Sequence, residues 1–277
     1  MKHTKRMFKE EFSRAIRSRG MFLALVIGCA ISMINVIQYQ IPTYQNNLAI
    51  DFEKFPIIYP FSVSDTWLAG NTANLESFVY FLILPILAVL PFGTSYFEDK
   101  QSGYLKGIYV RTNRKKYLSA KYTATFLTGG CAVVIPLILN LLCCIVLIPN
   151  LIAASALPHN GIHAANVFYE LYFSYPMLYI LIFLFIDFIL GGIFACAALA
   201  CSFLSDYKVI VAICPFFIQL VIHVICTMLG TIDYSSVYFA QSGYGLKHLW
   251  VLGIYFVVGI CATMVIFMHK GEREDVF

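Results

Sequence analysis

MLYILIFLFIDFILGGIFACAALA, residues 177–200, carries one charge, Asp187, in an otherwise apolar run. Spanning a hydrocarbon core as a helix takes about 20 apolar residues. This stretch, read from about 172 to 204, exceeds that length and is expected to tilt or project. Barrel strands would alternate in hydrophobicity over about ten residues; this run is continuous, so a helix is expected. Five further runs resemble it, at about 21–39, 75–97, 122–148, 209–229 and 249–268. The rest of the composition agrees. Of 277 residues, 60% are hydrophobic and 12% charged, and the mean hydropathy is +0.78. A soluble domain carries roughly 25% charged residues, so a soluble enzyme is excluded. The 24 Phe and 18 Tyr exclude a disordered chain.

Charge then orients the spans. If both termini are cytoplasmic, the inner segments 1–20, 98–121, 205–208 and 269–277 hold 17 of the 19 Lys and Arg. The outer segments keep only Lys54 and Lys247. The positive-inside rule is therefore met at every loop. The predicted fold class is an all-α integral membrane protein: a single transmembrane domain over 1–277 with six transmembrane helices and both termini cytoplasmic. Trp67 and Trp250 fall near outer span ends, where interfacial anchors are expected. All nine cysteines lie in apolar runs and read as small fillers; no zinc or redox spacing occurs.

Residues 1–20 precede the first span with seven basic side chains, and no A-x-A-like cleavage site follows. Phe8, Phe12 and Ile16 recur every four residues, which predicts an amphipathic helix lying on the inner membrane surface. Gly20 is the expected bend into the first span. The large outer segment, about 40–74, mixes three prolines with six aromatics. It is expected to pack on the outer membrane face, as interfacial packing or as a lid. Pro85, Pro91, Pro136, Pro176 and Pro215 are expected to kink spans two to five.

Few motifs carry chemistry. No G-x-x-x-x-G-K-[ST] is present, so ATP is not hydrolysed by that route, and G-x-S-x-G, H-E-x-x-H and S-x-x-K are absent too. The chain is not expected to be an enzyme. His159 and His163 are four apart, but Pro158, Asn160 and Gly161 argue against a helix there, so no metal site is expected. His223 reads as a packed core histidine. Asp187 is the acid deep inside a span, where a charge costs roughly 2.5–3.5 kcal/mol. Helix packing, a place on a translocation pathway and proton coupling are all open to it. Gly191 and Gly192, with nearby Ala and Cys, allow close helix approach, within the chain or at a subunit interface.

The inner loop between spans two and three, 98–121, is the informative segment. It begins at Glu98-Asp99-Lys100-Gln101-Ser102-Gly103-Tyr104-Leu105-Lys106 and continues through Arg111, Arg114, Lys115, Lys116 and Tyr117 to Lys121. Tyr104, Leu105, Ile108 and Tyr109 predict a short amphipathic helix ending near Thr112-Asn113. Such a helix docks into a groove of a cytoplasmic partner; alternatively the loop only enforces topology.

At this loop the chain resembles the membrane subunits of type-2 ABC exporters. Those permeases show an acidic residue, a glycine, an aliphatic stretch, a Pro-containing turn, an arginine and a lysine opening span three. Glu98, Gly103, Leu105 to Val110, Arg114 and Lys121 match in order, with Thr112-Asn113 in place of the proline and one residue fewer after the glycine. The resemblance implies a multi-pass permease of the bacterial cytoplasmic membrane. Its expected partners are two ABC ATPase subunits, which bind ATP and Mg, and a second permease subunit, identical or related. Lipids surround it, and no nucleic acid is involved. No cofactor is expected in this chain. Glu98, Gly103, Leu105, Arg111 and Arg114 are the expected ATPase-coupling contacts. The expected cargo is hydrophobic or amphipathic, such as an antimicrobial peptide, drug or lipid. A proton-coupled secondary transporter using Asp187 is the alternative.

Overall fold

The computed structural model describes residues 2–50, 54, 59–151 and 162–274. Among them all the regular secondary structure is helical. The helices are α1 (Lys2–Ile16), α2 (Arg19–Asn35), α3 (Ile41–Ala49), α4 (Val63–Thr66), α5 (Leu75–Val89), α6 (Ser95–Gln101) and α7 (Tyr104–Arg111). They continue as α8 (Arg114–Leu147), α9 (Tyr169–Ser174), α10 (Pro176–Cys201), α11 (Lys208–Met228), α12 (Ser236–Phe239) and α13 (Leu249–Arg273). Five continuous helical stretches are long and apolar enough to cross a membrane: Arg19–Ala49, Arg114–Leu147, Pro176–Cys201, Lys208–Met228 and Leu249–Arg273. These make the chain compatible with a multi-pass membrane protein.

The expected second span, 75–97, is not one helix. α5 has 15 residues, which at 1.5 Å per residue reach only about 22 Å. It ends at Val89, two residues before Pro91, whose missing N–H cannot extend the ladder. A turn over 90–94 follows before α6 starts. The long fourth run is also divided, because Pro176 opens α10 rather than kinking it, and α9 is a separate short helix. Pro85, Pro136 and Pro215 do lie inside helices. The bend before the first span falls at Ser18 instead of Gly20. Ser18 is extended (φ −69°, ψ 147°), and its hydroxyl caps α2 by accepting from the Met21 amide. Gly20 instead permits close packing: a Cβ there would lie 1.9 Å from the Leu90 carbonyl oxygen.

α10 is the axis of the bundle, packing against α5, α8, α11 and α13. Its sequence is apolar all round, as a helix enclosed on every side requires. Buried residues make up 67% of its apolar segment, against 17% for α13 and 22% for α11. The α8–α10 seam is built on small residues. A Cβ on Gly129 would sit 2.4 Å from the Ala195 Cβ, and one on Gly191 would sit 3.0 Å from the Gly129 carbonyl oxygen. Gly192 receives the Phe126 ring. The chain's own α8 therefore covers the glycine pair.

The outer segment does not lie flat. Helix continues through a π-turn at Val36–Gln40 to Ala49, and residues 62–71 are buried within the bundle. Trp67 is 0% exposed and belongs to the main core, so it is not an interfacial anchor; Trp250 is exposed. Asn140 of α8 secures this inserted segment. Its amide oxygen accepts from Leu68 N at 2.8 Å and Gln40 Nε2 at 3.0 Å. Its amide nitrogen donates to Ser32 O at 3.0 Å and Asn35 Oδ1 at 3.1 Å.

Candidate functional site: a buried charge cluster beneath a helical elbow

α6 and α7 form an elbow at the charge-rich end of the bundle, joined through Gly103. Gly103 has φ +74°, and a Cβ there would meet no heavy atom within 4 Å. Only backbone conformation resists substitution at this point. Gly103→Ala is expected to lose about 1–2 kcal/mol, with Gly103→Asn losing less because Asn tolerates the left-handed region. Chemical denaturation of the three proteins checks the order.

α7 is the amphipathic helix that the sequence predicts. Leu105 is buried in a cluster with Tyr96, Tyr117, Leu118, Leu199 and Phe267. Ile108 and Tyr109 pack partly against that cluster, whereas Tyr104, Lys106 and Val110 are exposed. Asn113 caps α8 by accepting from Lys115 N at 2.9 Å. Thr112-Asn113 thus does locally what a proline turn would do, closing one helix and opening the next.

Beneath the elbow, three helices contribute to one ionic knot. Glu11 from α1, Asp99 from α6 and Lys121 from α8 are all buried. Lys121 Nζ contacts Glu11 Oε2 at 3.1 Å and also pairs with Asp99. Arg14 forks between the same two carboxylates, at 3.0 Å from Glu11 and 2.8 Å from Asp99. The Tyr117 hydroxyl donates to Asp99 Oδ2 at 2.7 Å. Arg14 also lies over the Tyr104 ring at 4.8 Å, and Lys121 over the Phe92 ring at 4.3 Å. Two cations face two anions, so the knot is neutral as a whole. Neutrality with bidentate geometry is what lets such charges stay out of water.

Burial alone would raise the Asp99 pKa. Lys121, Arg14 and Tyr117 outweigh it and hold the carboxyl below its ordinary value. A depressed carboxylate pKa contributes stability that is present above the unfolded value, about 3.9, and is lost as pH falls toward the folded one. Melting temperature is therefore expected to drop on acidification below about pH 4, more steeply for the native chain than for Asp99→Asn.

A second set of contacts ties the elbow to the end of α13. The Arg114 guanidinium donates to the Glu274 carbonyl at 3.1 Å and to the Glu272 carbonyl, and stacks on Tyr109 at 4.5 Å. A cation is favourable at a helix C-terminus. Tyr96 OH donates to Glu274 Oε2 at 2.7 Å, and Lys100 pairs with the same carboxylate.

The sequence-predicted residues are placed unequally. Leu105 and Arg114 fasten the elbow, and Gly103 is its turn. Glu98 is exposed and reaches Lys208 of α11 at 2.7 Å, away from the knot; its neighbour Asp99 occupies the buried position. Arg111 ends α7, and its side chain lies outside the described residues. Asp187 is remote from the elbow, 0% exposed, with neither carboxylate oxygen hydrogen-bonded among the described residues. Gly191 and Gly192 belong to the α8–α10 seam. His159 lies outside the described residues, and His163 is exposed. His223 is partly buried, 3.0 Å from the Ser235 hydroxyl and stacked on Tyr238.

Glu11, Arg14, Asp99 and Tyr117 escaped the sequence reading. Their partners are 85 and 110 residues apart for Arg14–Asp99 and Glu11–Lys121, and no spacing rule spans such distances. One faint signal was present: Glu11 interrupts the cationic run of α1 one residue before Phe12. No family model, curated protein or solved structure matches the chain.

Proposed function

We propose that this chain is the membrane-spanning permease subunit of an ATP-driven exporter, with α6–α7 as the surface on which a separate ATPase docks. The observation that supports this best is the mounting of the elbow. The elbow, whose α7 has an exposed outer face, is joined through Asp99 of α6 to the surface helix α1 and to α8. Arg114, at the start of α8 and stacked on Tyr109 of α7, reaches the end of α13. A load on α7 would reach α8 and α13 through the cluster around Leu105, and α1 through Arg14 over the Tyr104 ring. A loop serving topology alone has no need of buried charges that join it to two other helices.

In this mechanism ATP and Mg bind in the partner ATPases and supply the free energy. Closure of those subunits presses on the exposed face of α7, around Lys106 and Val110. Gly103 lets α7 swing relative to α6, and the knot transmits the displacement to α1 and α8. Arg114 transmits it to α13. The sparsely covered α11 and α13 offer apolar surface to a second permease subunit, giving a paired assembly around a shared pathway. With few charges inside the bundle, a hydrophobic or amphipathic cargo fits better than an ion: a peptide, drug or lipid.

The double variant Lys106→Glu/Val110→Glu changes only exposed positions. It should keep the native melting temperature and lose at least ten-fold in ATPase recovery after affinity purification. Undiminished recovery with a correctly folded variant would remove α7 as the docking surface. The isolation of the Asp187 carboxyl favours a second function, proton-coupled secondary transport. Under that alternative Asp187→Asn and an uncoupler abolish transport, while ATP depletion does not.

A further inference from the structure

Two of the nine cysteines stand apart from the rest. The Cys201 sulfur, at the end of α10, lies 3.0 Å from the Cys214 sulfur in α11. No other thiol bonds to a thiol among the described residues; Cys144 meets Thr66, and Cys196 meets the Tyr122 carbonyl. A disulfide is about 2.05 Å long, so closing this one asks the sulfurs to approach by about 1 Å. Both helices can yield that much. Cys201 is the last residue of α10, where backbone carbonyls lose their helical partners. Cys214 directly precedes Pro215, which has no N–H to bond the Val211 carbonyl one turn back, so the α11 ladder is interrupted there.

The surroundings decide what such a bond would hold. Cys201, Val211 and Cys214 pack with Phe97 of α6 in one small apolar cluster. The next residue of α6, Glu98, pairs with Lys208 in the first turn of α11 at 2.7 Å. The sulfur pair therefore lies where the axial helix α10, the sparsely covered α11 and the root of the elbow meet. Access differs between the two thiols: Cys201 is 6% exposed, whereas Cys214 is half-buried. The positive-inside rule assigns this end to the cytoplasm. Thiols are kept reduced there, and a disulfide that forms is usually transient and catalytic or redox-sensing.

We propose that Cys201 and Cys214 form a reversible disulfide on exposure to hydrogen peroxide, clipping α11 to α10 and to the root of the elbow. The Cys214 thiolate, the more accessible of the two, attacks one peroxide oxygen. The O–O bond breaks, leaving a sulfenic acid on Cys214 and a hydroxide that takes up the thiol proton as water. The Cys201 sulfur then attacks the sulfenic sulfur. The S–O bond breaks, and the hydroxide leaves with the Cys201 proton as a second water. The sulfur pair loses two electrons and the peroxide gains them. A dithiol reductant reverses the bond by thiol–disulfide exchange. Formation of the clip does not depend on the exporter function.

The test treats the reduced, detergent-purified full chain with hydrogen peroxide, alkylates the remaining thiols after denaturation and maps the peptides by mass spectrometry. One Cys201–Cys214 disulfide per chain is expected, with seven of the nine cysteines still alkylated. Dithiothreitol should restore all nine. Amides of the 202–207 turn and the first two turns of α11 should exchange about five-fold more slowly in the oxidised chain. In Cys201→Ser the disulfide is lost and the Cys214 sulfenic acid accumulates, to be trapped by dimedone; Cys214→Ser should trap about ten-fold less. The oxidised and reduced native chains are compared directly, so the result does not rest on a variant folding. Absence of the Cys201–Cys214 disulfide from folded native chain, disulfides through the exposed Cys261 in its place, unchanged exchange on oxidation, or equal trapping in the two variants would overturn the proposal.

Discussion

Lys121→Ala is expected to destabilise the protein by about 3–5 kcal/mol, the usual cost of removing one partner from a buried ionic group. Lys121 is 0% exposed and contacts both Glu11 and Asp99. Without it two buried carboxylates share Arg14, and the knot carries a net negative charge out of water. The sign is open to a sharper test. Replacing Lys121 by Met and neutralising one carboxylate, as in Asp99→Asn/Lys121→Met, restores the balance and should recover much of the loss, because the cost lies in the uncompensated charge. Denaturant or thermal unfolding in detergent of the single and double variants measures it. Equal stability of Lys121→Ala and the native chain would mean that the knot holds nothing together. Under the proposed function Lys121→Ala also uncouples ATP hydrolysis from transport, and the double variant should regain folding without regaining full coupling.

The second large effect is expected at the opposite end of the bundle. Asn140→Leu removes four hydrogen bonds that join α2, the π-turn and the inserted outer segment to α8. At roughly 0.6 kcal/mol per interhelical hydrogen bond within a membrane protein, the loss comes to about 2–3 kcal/mol. The stranded groups include the Leu68 amide and the Gln40 side chain, so local opening of residues 62–71 should exceed the global loss. Hydrogen exchange reads this directly: amides of that segment should exchange faster in Asn140→Leu, while those of α10 stay protected. Uniform acceleration throughout the chain would show instead that Asn140 acts on global stability alone.

The legible parts of this protein were those written locally. Apolar runs located the long helices, because a helix in lipid must satisfy its own backbone over its full length. Even so, Arg19–Ala49 runs ten residues past the end expected at 39, and Arg114–Leu147 starts eight before the beginning expected at 122. The α7 helix followed from Tyr104, Leu105, Ile108 and Tyr109. Charge-swapped neighbours were not legible. Glu98 and Asp99 are adjacent acids with the same chemistry, yet one residue rotates a helix by about 100°, so tertiary packing alone decides which one faces Lys121. Continuity was over-read in the second span, where Pro91 ends the helix in a turn rather than bending it. Trp67 was misplaced because interfacial aromatics and inserted aromatics have the same composition. The capping box from Ser62 to Asp65 was the available sign that this segment is ordered and helical, since that pattern marks a helix start.

The central claim is that the elbow under α7 receives a motor subunit. Its most direct test is affinity purification of the tagged, full-length chain from its native host in mild detergent, with a photo-crosslinking residue at Val110, which is 76% exposed. The account predicts a soluble ATPase recovered in about equal amount and crosslinked to position 110, with any second permease subunit in the same complex. Recovery of the chain alone, under conditions that keep other membrane complexes intact, would contradict it and shift the function to Asp187-dependent transport.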